Sequence, residues 1–224
     1  MLCLFVAQAL AADAPKFSFS QETLDIGVLQ NSEVKVVQKM LYRKEDLFEI
    51  GVGLAVLPFD GYTIAPQLGI VGAKHFSETI ALETKLAGGY GLENSVYTEL
   101  AGPVYGVAVE AYRYLASAEV DLQWTPIYAK MNFGGKKVVH HDVYLLFGAG
   151  ATVEQSLIPD YDIVIAPTLP VGIGTRIYLT KTTILRAELR DSMLIEHRVQ
   201  SDTWAFKQNV GLGIGLSVLL GDTK

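Results

Sequence analysis

The stretch that decides the fold reads Asn209-Val210-Gly211-Leu212-Gly213-Ile214-Gly215-Leu216-Ser217-Val218-Leu219-Leu220. Large aliphatic residues occupy its even positions, and glycine or serine occupies most of its odd positions. Because alternate side chains of a β-strand point to opposite faces, this strand has one apolar face and one nearly empty face. Elsewhere in the chain, the charged residues share the face that carries the small residues. This pattern is typical of a membrane β-barrel, with lipid outside and polar side chains in the lumen.

The composition also favours insertion into a membrane as β-strands. Half of the 224 residues are hydrophobic, only 19% are charged, and the mean hydropathy is +0.28. After the N-terminus, however, no apolar run reaches the roughly 18 residues that a membrane helix needs, whereas a tilted membrane strand needs only about 9–11. The net charge of −6 argues against nucleic-acid binding. We expect outer-membrane lipid and other envelope proteins as partners, and no nucleic acid.

The chain divides into three predicted parts. Residues 1–12 are apolar and end in small residues, as in a secretory signal peptide, and contain Cys3, the single cysteine. An apolar terminus of a cytosolic protein is the alternative. Residues 13–46 are polar and of mixed charge, which predicts a periplasmic arm. Residues 47–224 are predicted to form the barrel in the bacterial outer membrane.

Eight segments with alternating hydrophobicity predict the strands of the barrel. They span 47–57, 62–75, 79–90, 117–131, 141–153, 168–179, 183–195 and 208–220. Leu54, Leu122, Ile173 and Leu216 represent the predicted lipid-facing side. The predicted fold class is all-β, an eight-stranded antiparallel up-and-down transmembrane β-barrel of the smallest outer-membrane size.

The connections are expected to alternate in length between the two ends. Short periplasmic turns are predicted at 76–78, 132–140 and 180–182, and the extracellular connections at 58–61, 91–116, 154–167 and 196–207. The longest of these, 91–116, either holds a short helix near 104–115 or extends the flanking strands. Its tyrosines are candidate anchors for a protein partner, namely Tyr97, Tyr105, Tyr112 and Tyr114.

Three stretches resemble a known family. They are Val36-Val37-Gln38-Lys39-Met40-Leu41-Tyr42-Arg43, then Trp124-Thr125-Pro126-Ile127-Tyr128-Ala129-Lys130, and His141-Asp142-Val143-Tyr144-Leu145-Leu146-Phe147-Gly148-Ala149-Gly150. Over about 34–220 the chain resembles the outer-membrane β-barrel domain proteins of myxobacteria and related bacteria. The resemblance implies a non-enzymatic envelope protein, since some members look like parts of gliding-motility or other envelope complexes.

Charged residues with inward parity form the main candidate site. They are Glu49, Glu83, Lys85, Glu119, Asp121, Asp142, Arg176, Arg186, Glu188 and Arg190. Isolated charges are costly in a low-dielectric lumen, so we expect these residues to pair. They either form a structural plug or line a narrow pore, and their identity alone does not separate these alternatives. No cofactor is expected.

The remaining candidates are weaker signals. Predicted interfacial aromatic residues are Phe48, Phe59, Tyr62, Phe76, Trp124 and Tyr128. His140 and His141 are adjacent, so on a strand they point to opposite faces and do not predict a metal site. Ser192 and His197 are the one nucleophile–base pair close in sequence, and they leave a lipid-modifying enzyme as the least favoured alternative. A soluble lipocalin-like barrel would reverse the two faces, but its solvated exterior would not need glycine on almost every strand.

Overall fold

The computed structural model describes residues 43–107, 109–133, 137–158, 160 and 162–221. The predicted signal segment 1–12 lies outside the described residues, as does the predicted arm up to residue 42. Those two assignments therefore stay predictions.

The described chain is built almost entirely from antiparallel strands. The elements are β1 Phe48–Leu57, β2 Thr63–His75, β3 Ile80–Gly89, β4 Leu92–Glu93, α1 Ser95–Ala101, β5 Tyr112–Phe133, β6 Lys137–Ser156, β7 Ile163–Tyr178, β8 Thr183–Arg198 and β9 Thr203–Leu220. Eight strands form a closed ring, because β1 pairs with both β2 and β9. The short strand β4 pairs with the start of β2 and lies outside the ring. The predicted eight-stranded antiparallel barrel is thus confirmed.

The apolar face of the barrel points outward. Leu54 is 60% exposed and Leu216 is 51% exposed, and Leu122 and Ile173 are exposed as well. Directly paired residues such as Leu54 and Leu68 share this face, because opposite residues of an antiparallel pair lie on the same side. The soluble alternative with an apolar interior is therefore wrong. Among the described residues, no helix is long and apolar enough to cross a membrane.

Because the number of strands is even, the first strand begins and the last strand finishes at the same end of the barrel, which we expect to be periplasmic. The end at which β1 begins and β9 finishes is called periplasmic, and the opposite end is called extracellular. Strands β5 to β9 have 16 to 22 residues, whereas β1 to β3 have 10 to 13. The barrel therefore has a long wall and a short wall.

Several predicted loops are shorter than expected. Pairing continues to Gln155–Ile163 and to Arg198–Thr203, so the predicted loops 154–167 and 196–207 are wrong in length. The predicted turn 132–140 is also too long, because pairing of β5 with β6 continues to Phe133–Lys137. The reason is the same in each case. Backbone hydrogen bonds can extend a pair of strands irrespective of the side chains. The alternation of apolar and polar residues, by contrast, ends where the outer face of the strand no longer contacts lipid.

The helix of the longest connection lies earlier than predicted. A helix near 104–115 is wrong, because α1 spans Ser95–Ala101 and β5 already begins at Tyr112. The Asn94 side chain accepts a hydrogen bond from the Tyr97 N–H at 3.0 Å, as an N-cap residue does. The alternative expectation, an extension of the flanking strand, is correct for β5.

A β-bulge in β5 reverses the side-chain parity and moves Tyr128 inside. Trp124 pairs with Leu145, but Ile127 pairs with Val143, so β5 carries one extra residue at Pro126. Ile127 consequently takes the exposed position, and Tyr128 lies opposite the buried Asp142. The prediction of Tyr128 as an interfacial aromatic residue is therefore wrong.

Candidate functional site

The central layer of the lumen is an ion-pair cluster around two arginines of β8. Arg186 contacts Glu49 at 3.2 Å, Glu83 at 2.5 Å, and also Glu188. Because residues four apart on a strand share a face, Arg190 enters the same lumen one layer higher. It lies 3.0 Å from Glu83, and its further partners are Asp121 at 2.6 Å, Glu188 at 3.4 Å and Glu119.

A second layer closes the periplasmic half of the lumen. The fully buried Arg176 lies 3.2 Å from Glu49 and 3.6 Å from Asp142. Asp142 also pairs with Lys44 and accepts a hydrogen bond from the Tyr178 hydroxyl at 2.8 Å. Each carboxylate thus meets more than one donor, which is the condition for keeping charges buried.

Several described members of this network were not among the sequence-predicted residues. Gln123 donates to Glu83 at 2.7 Å, His75 lies 3.0 Å from Glu49, and the Arg186 guanidinium donates to the Tyr144 hydroxyl at 3.1 Å. Their inward parity was the available signal for these three residues and for Tyr178. Lys44 had no such signal, because it precedes the first strand.

The periplasmic mouth is sealed by apolar packing next to these charges. Leu47, Tyr178, Ile184 and Leu219 form a buried cluster, and Tyr128 packs against it. Burial lowers the pKa of Lys44 in this mouth, while the neighbouring Asp142 carboxylate opposes the shift. The periplasmic opening is therefore filled by side chains.

A third charged layer lies near the extracellular end. Lys207 is 2.9 Å from Asp60 and 3.0 Å from Glu154, and Glu196 is 3.9 Å away. These residues were not predicted as site residues, because the predicted strands did not reach them. Glu154 and Glu196 directly follow the predicted segments 141–153 and 183–195. Lys207 directly precedes 208–220, and Asp60 lies in the predicted connection 58–61. They continue the buried network beyond Arg190.

The long connection between β3 and β5 crosses over this layer. The Glu110 carboxylate accepts hydrogen bonds from the Gln200 N–H at 2.9 Å and the Tyr112 hydroxyl at 3.2 Å. Burial alone would raise the pKa of Glu110, but hydrogen bonds from the Gln200 backbone and from the Ser201 and Tyr112 side chains hold it below its ordinary value. The Leu157 N–H donates to the Ala111 carbonyl at 2.8 Å. The connection is thus tied to the β6–β7 and β8–β9 turns.

The four candidate partner tyrosines do not form one surface. Tyr105 is 64% exposed, but Tyr112 and Tyr114 are 3% and 4% exposed and belong to β5. The Tyr114 hydroxyl donates to the Ala87 carbonyl at 3.2 Å, and the Tyr97 hydroxyl donates to the Leu157 carbonyl at 3.3 Å. The assignment of Tyr112 and Tyr114 as partner anchors is therefore wrong, because the longer strand carries both into the barrel.

Most of the predicted interfacial aromatic residues lie on the outer surface. Phe48, Phe59, Phe76 and Trp124 are exposed, whereas Tyr62 is half-buried against Tyr97. The Lys74 ammonium lies 4.4 Å from the centre of the Phe48 ring. Sequence reasoning missed Trp204 and Phe206, which are exposed on the outward face of β9. Both residues precede residue 208, where this strand was predicted to begin.

The candidate catalytic pair is separated by the wall of the barrel. The Ser192 hydroxyl faces the lumen and donates to Glu119 at 3.4 Å. His197 lies against Trp204 on the outer side and contacts Asp202 at 3.1 Å.

His140 is buried, and His141 points to the opposite face of β6. In the described part of the chain, no group of three or more potential ligands is placed to hold a metal ion.

Two adjoining cavities lie beside Lys85 in the lumen. Their volumes are about 30 and 50 Å³, enough for one or a few water molecules. Long polar side chains such as Gln67, Glu188 and Arg190 contribute to their lining. It also includes small residues of the short wall and β9, namely Gly53, Ala55, Gly69, Ala87, Gly213 and Gly215. Within the described residues, no carboxylate lies within 4.0 Å of the Lys85 ammonium.

The closed ring, the apolar exterior and the charged lumen define an eight-stranded β-barrel of the bacterial outer-membrane class. Two solved structures from Pseudomonas aeruginosa share this fold. The N-terminal β-barrel domain of OprF is 11% identical with a TM-score of 0.50, and the match covers 79% of this chain and 98% of that domain. The outer membrane protein OprG is 12% identical with a TM-score of 0.50, covering 81% and 99%. No family model and no curated protein matches the sequence.

Proposed function

We propose that this protein is a non-enzymatic outer-membrane barrel that is closed to solutes and acts by contact, as a structural or adaptor subunit of a cell-envelope complex. The carrying observation is the charged network that fills the lumen from Lys44 to Lys207. An eight-stranded barrel has an interior just wide enough for side chains. The two cavities beside the paired arginines are of water size.

The extracellular connection supplies a surface for such contact. Helix α1 has no buried residue, and the residues that follow it expose large apolar side chains. Val104 is 82% exposed, and Val96, Tyr105 and Val107 are exposed on the same connection. Exposed apolar groups that cluster on one surface are typical of protein-binding sites. The resemblance to the myxobacterial barrel family extends this proposal to an envelope complex of the gliding-motility kind.

Planar bilayers and site-specific crosslinking test the two halves of this proposal. The purified barrel is expected to give no steady conductance. A photo-crosslinker at Tyr105 should capture an envelope protein in living cells, whereas one at the periplasmic rim residue Phe76 serves as the matched control. Steady conductance would contradict the closed lumen, and equal crosslinking at both positions would contradict an extracellular contact surface.

A narrow pore is the second candidate function, and the cavities beside Lys85 favour it. They share Ala55 and Gly213 in their lining and so adjoin on the glycine-rich side of the lumen. Replacing Gly213 or Gly215 by leucine would fill this side. If the wild-type barrel conducts and these substitutions abolish conductance, the pore is correct and the closed barrel is wrong.

A further inference from the structure

A carboxylate lies on the outer face of β8 among lipid-facing side chains. Asp191 pairs with Val171 on β7 and with Val210 on β9, so all three residues share the outward face. Val171 and the neighbouring Leu189 are exposed apolar residues. The Oδ1 atom of Asp191 is buried and has no hydrogen-bond partner.

The depth of Asp191 places it within the apolar band. It lies eight residues after Thr183, which begins β8 at the periplasmic end. At about 3.3 Å per residue and a tilt of about 40°, this is about 20 Å above that end, in a band about 25 Å tall. The carboxylate is therefore in the part of the band that faces the outer leaflet, within about 5 Å of the band's upper edge.

An apolar groove lies next to Asp191 on its periplasmic side and runs across β1, β9, β8 and β7. Its volume is about 700 Å³, and its sides are Leu54, Val56, Ile173, Leu189, Leu212 and Ile214. Its floor is low at Ala187, a small outward residue between the larger side chains of Ile173 and Ile214. Ala187, Leu189 and Asp191 are successive outward residues of β8, so the groove and the carboxylate form one continuous surface with an apolar body and a charged end.

We propose that this surface binds a single membrane lipid whose headgroup carries a primary ammonium, with an acyl chain in the groove and the ammonium on Asp191. A carboxylate in apolar surroundings is costly unless it meets a donor or a cation. An ammonium supplies three donors and the opposite charge. A headgroup with phosphate alone would bring a second negative charge to Asp191.

The charge of Asp191 disfavours a second copy of this chain as the occupant. Two barrels inserted in the same direction and related by an axis along the membrane normal place identical residues at the same height. Association through this groove would thus bring two Asp191 carboxylates together without a cation. A lipid avoids this repulsion, and it is the molecule that surrounds this face in a bilayer.

Lipid competition measured by native mass spectrometry tests the proposal. The full-length barrel is reconstituted with equal amounts of phosphatidylethanolamine and phosphatidylglycerol, and the retained lipid is counted. Wild type should retain phosphatidylethanolamine with about a tenfold preference, as expected for one charge-assisted hydrogen bond. Asp191→Asn should reduce the preference to near unity, and Asp191→Glu should keep most of it. The matched control Glu78→Gln changes a carboxylate at the periplasmic turn and should leave the preference unchanged.

Filling the groove separates the apolar contribution from the charged one. Ala187→Trp should lower the retention of both lipids while leaving the barrel folded, since this side chain faces lipid. Equal retention of the two lipids by wild type would overturn the proposal, and so would an unchanged preference in Asp191→Asn. Dimers that Asp191→Asn strengthens, with no lipid retained by wild type, would assign the surface to a second copy instead.

Discussion

The guanidinium of Arg186 and the carboxylate of Glu83 face each other across the lumen, with Nη2 2.5 Å from Oε2. The other oxygen of Glu83 lies 3.0 Å from Arg190. One carboxylate therefore joins two arginines of the same strand into a single network. Removing one member takes a partner from several buried charges at once, so we expect this network to be sensitive to substitution.

Arg186→Met is expected to destabilise the barrel by about 3–5 kcal/mol, because Glu49, Glu83 and Glu188 lose a shared cation in the lumen. Denaturant unfolding in detergent micelles or bilayers measures the change. Lys181→Met removes a cation from an exposed turn and is the control, with an expected change near zero. An Arg186→Met barrel as stable as wild type would contradict the structural role of the network.

Gly174→Val is expected to destabilise the barrel by about 1–3 kcal/mol through overpacking. A Cβ atom at Gly174 would overlap the ring of Tyr144, which the lumen network uses. Gly72→Val is the matched control, because a Cβ at that outward glycine meets no atom within 4 Å. In a double-mutant cycle, Tyr144→Leu should recover part of the loss at Gly174. Additive effects of the two substitutions would argue against this contact.

Leu54→Arg is expected to cost about 2–4 kcal/mol, because it places a charge on the lipid-facing side near the middle of β1. Val104→Arg introduces the same charge on the extracellular connection and should change stability little. Spin labels at Leu54, Leu122, Ile173 and Leu216 provide a direct measurement, since they should report low water accessibility in bilayers. Water contact at all four positions would refute the membrane assignment of this face.

The tie between Glu110 and the β8–β9 turn is expected to weaken in acid. Hydrogen bonds hold the pKa of Glu110 in the folded state below its ordinary value. Their stabilisation is therefore complete above the unfolded pKa, about 4.3, and is lost as the pH falls through the lower folded pKa. The protection of the Gln200 amide against hydrogen exchange, measured relative to unprotected amides at the same pH, should fall in that range. Glu110→Gln should remove this pH dependence, and a dependence that persists in this variant would assign it to another group.

Periodicity along the chain was sufficient for the barrel itself. The alternation in 210–220 and in seven other segments predicted the strand number and the two faces, because a strand repeats every two residues and lipid tolerates only apolar side chains on its side. The same parity identified Arg186, Arg190 and the carboxylates of the lumen as residues of one interior. These properties depend on neighbours in sequence, so the sequence alone determines them.

The tertiary structure decided which of these residues meet. Glu83 and Arg190 are 107 positions apart, and their contact depends on the stagger between strands around the closed ring. The bulge at Pro126 turned Tyr128 from lipid to lumen, and strand pairing beyond the lipid band carried Tyr112 and Tyr114 into the barrel. Lys44 joined the network from outside the strands. Backbone hydrogen bonds and ring closure set these contacts, and neither leaves a repeating pattern in the sequence.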